Sequence, residues 1–327
     1  MKKIKFQSSL AAEFTSFVKL KQLAGYDYIS QAELLTFVDR FLIERGIIQN
    51  ILTEVTSQEY LKTILHLTPR GFANRFGVLR LFSIWMHQHN PDSYVLHDII
   101  CRNNSHSRPA YIFTHDQIRL FLEKCTYVCS EIERVPDLYQ TLFSILYTTG
   151  IRINEALSLN CNDFYPEEKL LYIRRGKFKK DRYVILSYSM NERLKEYLKQ
   201  YCLLISPEAS DPLFIGMRGV RMIYNSVQVR FKQIFKASST PEENKIEPRI
   251  HDLRHTFAVH RLLKWYDSEK DIYSKLPLLS TYMGHVNITS TQVYLQSTNE
   301  LLQKGCERFH HFVFDKEINN KNEEVLS

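Results

Sequence analysis

Hydrophobic residues recur three and four positions apart through most of this chain, a spacing that places them on one face of an α-helix. In the first hundred residues the pattern predicts four helices, over residues 9–25, 29–46, 56–67 and 68–89. Gly25 and Gly46 close the first two patterns, and glycine commonly ends a helix. The amino-terminal part is therefore predicted to be a small helical bundle.

Two residue pairs in this part have the spacing of a capping box, in which a hydroxyl residue is followed three positions later by an acid or amide. Ser30 with Glu33 predicts the start of the second helix, and Thr56 with Glu59 predicts the start of the third.

Residues 101–110 interrupt the helical pattern. This segment, CRNNSHSRPA, is polar, contains Pro109 and has no periodicity, which is typical of a linker between domains. We therefore predict a boundary that separates a domain of residues 1–108 from a domain of residues 109–327.

The second part of the chain combines helical patterns with one candidate β-hairpin. Thr114 and Gln117 predict a helix start, and an apolar run over 137–149 predicts a helix that ends at Gly150. Residues 170–186, LLYIRRGKFKKDRYVIL, contain two apolar strands around a basic turn. Further helices are predicted over residues 191–204, 218–238, 251–265 and about 299–313, with a charged loop after the third of these.

The overall composition is that of a globular protein, with 44% hydrophobic and 13% aromatic residues. A net charge of +7 fits a nucleic-acid partner without requiring one.

The six cysteines are scattered without a CxxC pair, which favours reduced thiols over a zinc site or disulfides. The sequence has neither a secretory apolar region nor an apolar run of roughly 20 residues, so we expect a soluble, cytoplasmic protein.

The candidate chemistry centres on the segment between His251 and Tyr294. His251 and Arg254 are three positions apart and therefore project from one face of a helix. Cationic side chains around a single phenol suit the placement of a weak oxygen nucleophile against a phosphodiester. The residues that we expect to share this task are Arg152, Lys177, His251, Arg254, His285 and Tyr294.

Other interpretations of these residues exist. His251 and His255 also have the i, i+4 spacing of a zinc peptidase, although Asp252 stands where such a site needs glutamate and no third ligand has a familiar spacing. Arg254 alone would fit a structural salt bridge, and Tyr294 alone would fit a half-buried core position.

Five short motifs, in order, resemble those of the tyrosine recombinase, or phage integrase, family. TTGIRINEAL resembles the first arginine box around Arg152, and RRGKFKKDRYVIL resembles the hairpin box around Lys177. HDLRHTFA, MGH and STQVYLQ resemble the boxes that contain Arg254, His285 and Tyr294. Phe178 departs from the hairpin box, which commonly reads Gly-Lys-Gly, and the span between Arg254 and His285 is longer than in compact members.

The resemblance implies a mainly α fold with a small β-sheet. Residues 1–108 would form a helical, SAM-like four-helix core-binding domain that clamps DNA. Residues 109–327 would form an α+β catalytic domain, with a helix at about 299–313 that docks on a neighbouring protomer or packs on its own domain.

The resemblance also implies a site-specific recombinase of a mobile element, acting on double-stranded DNA as a tetramer, with an accessory or companion recombinase left open. Tyr294 would form a 3′-phosphotyrosyl link without metal, ATP or another cofactor. Glu155 would orient a basic neighbour or lie on a helix surface. Further residues that would contact DNA, or be solvated, are Arg70, Arg75, Lys179, Lys180 and Arg182.

Two rival functions share these features. A type IB topoisomerase uses the same cleavage but rejoins the same strand, and a non-catalytic DNA-binding protein could use an integrase scaffold. The intact set of six candidate residues disfavours the second rival, because a protein that only binds DNA has no use for the nucleophile.

Overall fold

The computed structural model divides the chain into two compact units, Met1–Arg108 and Pro109–Ser327. Continuous stretches are described at residues 4–97, 109–129, 137–174, 181–205, 210–216, 218–241, 247–268 and 272–284. Beyond these, the description covers Glu208, Glu243, Asn287, residues 289–292, Tyr294, Gln303 and Cys306.

The first unit contains the four predicted helices, which confirms that part of the pattern. They are α1 (Ala11–Leu23), α2 (Ile29–Glu44), α3 (Glu54–Thr63) and α4 (Pro69–His89). Their apolar faces meet in an aromatic core where the ring centroids of Phe14 and Phe17 lie 4.5 and 5.5 Å from that of Phe82. Gly25 and Gly46 follow α1 and α2 with positive φ, as expected of helix-ending glycines.

Both predicted capping boxes in this unit are wrong. Helix α2 begins at Ile29, after Tyr28 in a left-handed conformation, and no side chain caps it. The residue that caps helix α3 lies three positions earlier than predicted, because the hydroxyl of Thr53 accepts a hydrogen bond from the Thr56 backbone N–H at 3.2 Å. In both cases a hydroxyl residue and a glutamate three positions later lie inside the helix, where the same spacing does not mark its start.

The second unit combines eight helices with a small sheet in its described part. The helices are α5 (His115–Cys129), α6 (Leu138–Thr149), α7 (Ile153–Ser158), α8 (Tyr188–Ile205), α9 (Tyr224–Ser238), α10 (Ile250–Asp267), α11 (Ile272–Met283) and α12 (Thr289–Gln292). The predicted start of α5 is confirmed, since Thr114 and Gln117 exchange backbone-to-side-chain hydrogen bonds.

The sheet has three antiparallel strands in the order β1 (Phe164–Tyr165), β2 (Leu170–Ile173) and β3 (Arg182–Ile185). Strands β2 and β3 form the predicted hairpin, in which Ile173 faces Arg182 and Tyr172 faces Tyr183. Side chains alternate between the two faces of a strand. Arg182 therefore lies on the same inward face as the buried Val184.

Helix α6 runs through the main core of this unit. Phe143 on α6 packs against Phe121 of α5 and Phe231 of α9, with ring centroids 5.4 and 5.6 Å away. A separate apolar cluster joins α10 to α11 and includes Phe257, Met283 and Tyr294. Ile250 and Leu253 of α10 belong to the main core, so α10 packs on two faces and its first turns, which carry the candidate chemistry, are held in place.

Two predicted boundaries in the second unit change. The basic helix expected over 218–238 begins only at Tyr224, because Arg221 donates hydrogen bonds to the carbonyls of Leu157 and Leu159 instead. The segment expected to be a charged loop is largely helical, since α10 continues to Asp267 and α11 begins at Ile272.

The predicted carboxy-terminal helix at about 299–313 lies outside the described residues, except for Gln303 and Cys306, which are helical and exposed. Across the described helices, none combines the length and the hydropathy required to cross a membrane.

Replacing Gly150 with alanine should destabilise the second unit. Gly150 ends α6 with φ at +64°, and an added Cβ would lie 2.3 Å from Cδ1 of Phe257. Left-handed strain and overpacking together predict a loss of roughly 2–4 kcal/mol in unfolding free energy, measured by urea denaturation.

Gly77→Ala is the matched control, because Gly77 lies within α4 and an added Cβ meets no atom within 4 Å. That substitution should be neutral or stabilise by up to about 1 kcal/mol. A loss of similar size in both variants would contradict the specific role of Gly150.

Candidate active site

The corner between α6 and α7 places the first candidate arginine. Gly150 turns the chain at the end of α6, and Arg152 then precedes the first turn of α7. The backbone N–H and the guanidinium of Arg152 both donate to the Glu155 carboxylate, each at 2.9 Å. The same guanidinium donates to the carbonyl of Gly284 at 3.1 Å.

Glu155 is buried and bound by two arginines, so its carboxylate does not lie on a helix surface. Besides Arg152, it accepts hydrogen bonds at 3.1 and 2.8 Å from the two terminal nitrogens of Arg182. Burial alone would raise the pKa of this carboxyl, but the hydrogen bonds and charges of Arg182 and Arg152 outweigh it and leave the pKa at about 2. Glu155 is therefore ionised.

Arg254 is the most deeply buried of the candidate cations that the structure describes, at 1% exposure. Its two terminal nitrogens donate to the carbonyls of Gly150 and Met283, at 2.5 and 2.8 Å. Its Nε is buried with no acceptor in the described part of the protein. Burial, and then the charge of Arg152, lower the pKa of Arg254 to about 10, so the group stays protonated at neutral pH.

The carboxy-terminal end of α11 brings these arginines together. The carbonyls of Tyr282, Met283 and Gly284, three consecutive residues, accept hydrogen bonds from Arg182, Arg254 and Arg152 respectively. The end of a helix carries unpaired carbonyls and partial negative charge, which favours cations there.

Gly284 is required at this turn for two reasons. Its φ is +69°, which disfavours other residues, and a Cβ at this position would lie 3.0 Å from the guanidinium carbon of Arg182. The glycine of the MGH motif thus permits close contact between Arg182 and the end of α11.

Two histidines lie near the start of α10. His251 has an exposed face, yet partial burial, followed by the positive charges of His255, Arg254 and Arg152, lowers its pKa to about 4. The ring centroids of His251 and His255 are 4.8 Å apart. Both rings are neutral at physiological pH, since burial also lowers the pKa of His255.

Tyr294 is enclosed by this group of side chains. It is 3% exposed, and its ring centroid lies 5.3 Å from that of His255. Burial raises the pKa of its phenol, while the charge of Arg254, a hydrogen bond with that side chain and the charge of Arg152 act in the opposite direction. The phenol is consequently protonated at neutral pH.

The structure brings four of the six candidate residues into one place: Arg152, His251, Arg254 and Tyr294. The remaining two, Lys177 and His285, lie outside the described residues, as do Lys179 and Lys180. His285 directly follows Gly284 in the sequence.

The arginines expected to contact DNA have different surroundings. In the first unit, Arg70 is exposed near the start of α4, and the Arg75 guanidinium lies 3.9 Å from the ring centroid of Phe37. In the second unit, Arg182 points inward to Glu155 rather than outward from the hairpin. Strand alternation could have revealed this, since Arg182 is two residues before the apolar Val184.

The zinc interpretation of His251 and His255 gains no support from the geometry. Within the described stretches, no group of three or more His, Cys, Asp or Glu side chains is arranged to hold a metal ion. Asp252, which would replace the glutamate of a zinc peptidase, pairs with Arg249 at 3.0 Å.

Comparisons with known proteins identify the family of this chain. Residues 112–300 match the phage integrase family. The Sinorhizobium fredii protein y4rB, named as an integrase/recombinase, is 31% identical over 251 residues, which are 73% of this chain and 78% of y4rB. The tyrosine recombinase XerC of Bacillus subtilis is 33% identical over 183 residues, which are 54% of this chain and 55% of XerC.

A solved structure shares the fold. The Tn1549 transposon integrase, in complex with transposon right end DNA, superposes with a TM-score of 0.63 at 16% identity, covering 92% of this chain and 99% of that one. Because the family match spans more than half of the sequence, the chain belongs to the phage integrase family and is a tyrosine-type site-specific recombinase.

Proposed function

We propose that this recombinase is the integrase of a mobile element. It cleaves and rejoins double-stranded DNA through a 3′-phosphotyrosyl intermediate on Tyr294 and a Holliday junction, without metal or ATP. The observation that carries the proposal is the buried guanidinium of Arg254, held beside Arg152 and the phenol of Tyr294.

This group of side chains has a net positive charge, which suits the binding of an anion. Among the described residues, Arg152 and Arg182 both bind the Glu155 carboxylate and Arg254 binds only carbonyls, so these three guanidiniums have one carboxylate among them and positive charge is in excess. A buried charge without a counter-ion is costly. A phosphodiester, whose negative charge grows in the transition state, would supply that counter-ion.

The guanidiniums fit two oxygens of such a phosphate. Arg254 has a buried Nε with no acceptor in the described part of the chain, and a planar guanidinium can donate along several directions. Arg152 is half-buried and reaches the same group of residues. In our proposal these two arginines bind the non-bridging oxygens of the scissile phosphate.

Cleavage then exchanges one ester for another. The Tyr294 oxygen forms a bond to phosphorus as the bond from phosphorus to the 5′-oxygen breaks, and the 3′-phosphotyrosyl link preserves the phosphodiester's energy for rejoining. The phenol needs a proton acceptor because its pKa is raised. His251, whose ring is neutral, is the proposed acceptor.

The two candidate residues outside the described part keep the roles expected from the sequence. Lys177 would protonate the departing 5′-oxygen, and His285 would donate a hydrogen bond to the phosphate. The position of Gly284, bound by Arg152 through its carbonyl, supports the second role because His285 is the next residue.

The proposed substrate rests on a relative, and the proposed assembly rests on the resemblance found in the sequence. The Tn1549 integrase is a transposon protein solved with transposon DNA, and its fold spans nearly all of this chain. We propose the same class of substrate here, with two duplexes joined by a tetramer. An assay with supercoiled plasmid that lacks a target site tests the topoisomerase alternative, because efficient relaxation would favour that rival.

Tyr294→Phe should abolish the covalent protein–DNA adduct while leaving DNA affinity unchanged. The substitution removes only the attacking oxygen and keeps the ring that packs beside His255. Nicked suicide substrates and denaturing gels measure the adduct, and gel shifts measure binding.

An adduct that persists in the phenylalanine variant would refute Tyr294 as the nucleophile. Wild-type cleavage that stops when EDTA is added would refute the metal-free step.

Arg254→Ala should lower the rate of adduct formation by several orders of magnitude and alter DNA affinity only modestly. The substitution removes a positive charge that stabilises the negative charge growing on the phosphate in the transition state. Single-turnover cleavage at saturating protein gives the rate, and thermal melting reports on folding. Arg254→Lys, which keeps the charge, should retain more activity; equal rates in the alanine variant and the wild type would contradict the assignment.

The pH profile of adduct formation should lack a step near 6.5. His251 has a pKa of about 4 instead of its ordinary 6.5, so the neutral, proton-accepting ring persists as the pH falls and is lost only near pH 4. Single-turnover rates between pH 5 and 8 measure this.

If the rate of adduct formation declines with the protonation of a group whose pKa is 6.5, the proposed neutral state of His251 would be contradicted. Parallel assays of His251→Gln and His255→Gln identify the acceptor, and a larger loss in the second variant would transfer the role to His255.

A further inference from the structure

Arg182 makes three hydrogen bonds inside the candidate active site. Its terminal nitrogens bind the two oxygens of Glu155 at 3.1 and 2.8 Å, and its Nε donates to the carbonyl of Tyr282 at 3.2 Å. The side chain is 14% exposed. Arg182 therefore connects strand β3, helix α7 and the end of helix α11.

Glu155 is shared between two arginines of different accessibility. Each oxygen accepts one hydrogen bond from Arg152 and one from Arg182. Arg152 is the more exposed of the two, with 21% of its side chain accessible. The carboxylate thus has four donors, and two of them come from an arginine that we do not place at the phosphate.

This sharing determines how much of the Arg152 charge remains for a ligand. With Arg182 present, the negative charge of Glu155 is balanced mainly by the two-point contact with Arg182. Without Arg182, the buried and ionised carboxylate would have Arg152 as its partner, and a close ion pair would cancel the charge that Arg152 offers to phosphate.

Arg182 also supports the turn that precedes His285. Its guanidinium packs on Gly284 so closely that a Cβ there would lie 3.0 Å away, and it binds the carbonyl of Tyr282 two residues earlier. Arg152 binds the carbonyl of Gly284 itself. The two arginines that share Glu155 therefore fix the same turn from two sides.

We propose that Arg182 is a positioning residue of the cleavage reaction, which balances the charge of Glu155 so that Arg152 stays available to the scissile phosphate. This inference rests on the proposed function, because it assigns Arg182 a role in the same phosphodiester cleavage. Arg182 acts through Glu155 and Arg152 and does not itself contact the reacting atoms.

The experiment is a double-mutant cycle on wild type, Arg182→Gln, Glu155→Gln and the double variant, with Arg182→Lys added. Single-turnover formation of the Tyr294–DNA adduct measures chemistry, gel shifts measure affinity and thermal melting confirms folding. Arg182→Gln should slow cleavage by about 10²-fold with less than about a threefold change in affinity. Arg182→Lys, which keeps the charge, should recover at least about tenfold of that loss.

The double variant distinguishes charge balance from a structural role. If Arg182 acts by balancing Glu155, removing both charges should restore cleavage at least about tenfold relative to Arg182→Gln alone. It should also match Glu155→Gln to within about threefold, a comparison that holds even if Arg182→Gln does not fold. A double variant no faster than Arg182→Gln, or much slower than Glu155→Gln, overturns the proposal.

Arg221→Gln is the matched control. Arg221, like Arg182, donates three hydrogen bonds, in its case to the carbonyls of Leu157 and Leu159 and to the side chain of Asn160, but it does not contact Glu155. Its loss should lower the melting temperature without changing the cleavage rate of folded protein. A cleavage defect equal to that of Arg182→Gln would show that losing any such arginine suffices, and would also overturn the proposal.

Failure of this inference differs from failure of the proposed function. A wild-type protein that forms no adduct on any nicked integrase substrate refutes the proposed function. A wild type that forms the adduct, with Arg182→Gln cleaving at an equal rate, refutes only the role of Arg182.

Discussion

Three consecutive carbonyls at the end of α11 hold three arginines from different parts of the second unit. Arg152 comes from the α6–α7 corner, Arg182 from β3 and Arg254 from α10, and each donates to one carbonyl. Like charges repel at short range, so such a group needs fixed acceptors. Glu155 and the negative end of α11 supply them, which makes the turn at Gly284 the element on which the geometry of the site depends.

Much of this arrangement could be predicted from local sequence signals. Gly150 ends α6, the residue after next is Arg152, and the spacing of His251 and Arg254 puts both at the start of one helix. The hairpin could likewise be predicted from its two apolar strands. These features are encoded over a few neighbouring residues, so one sequence is enough to find them.

Features that depend on distant parts of the chain were harder to predict. Strand alternation indicates that Arg182 points inward, but it does not identify its partners, which are Glu155, 27 positions away, and the end of α11, 100 positions away. The predicted start of α3 is wrong because Thr53 and Thr56 are both hydroxyl residues that could cap a helix. The backbone hydrogen bond from Thr56 shows that Thr53 is the cap. The catalytic roles remain predictions, with Lys177 and His285 outside the described residues.

The enclosure of Tyr294 has a kinetic consequence. Its ring is 3% exposed and packs against α10, so a phosphodiester cannot approach the phenol oxygen while the ring keeps this position. Tyr294 must therefore open to solvent before cleavage, and the frequency of that opening sets an upper limit on the rate of strand cleavage. If DNA dissociates before Tyr294 becomes accessible, both of its strands would remain intact.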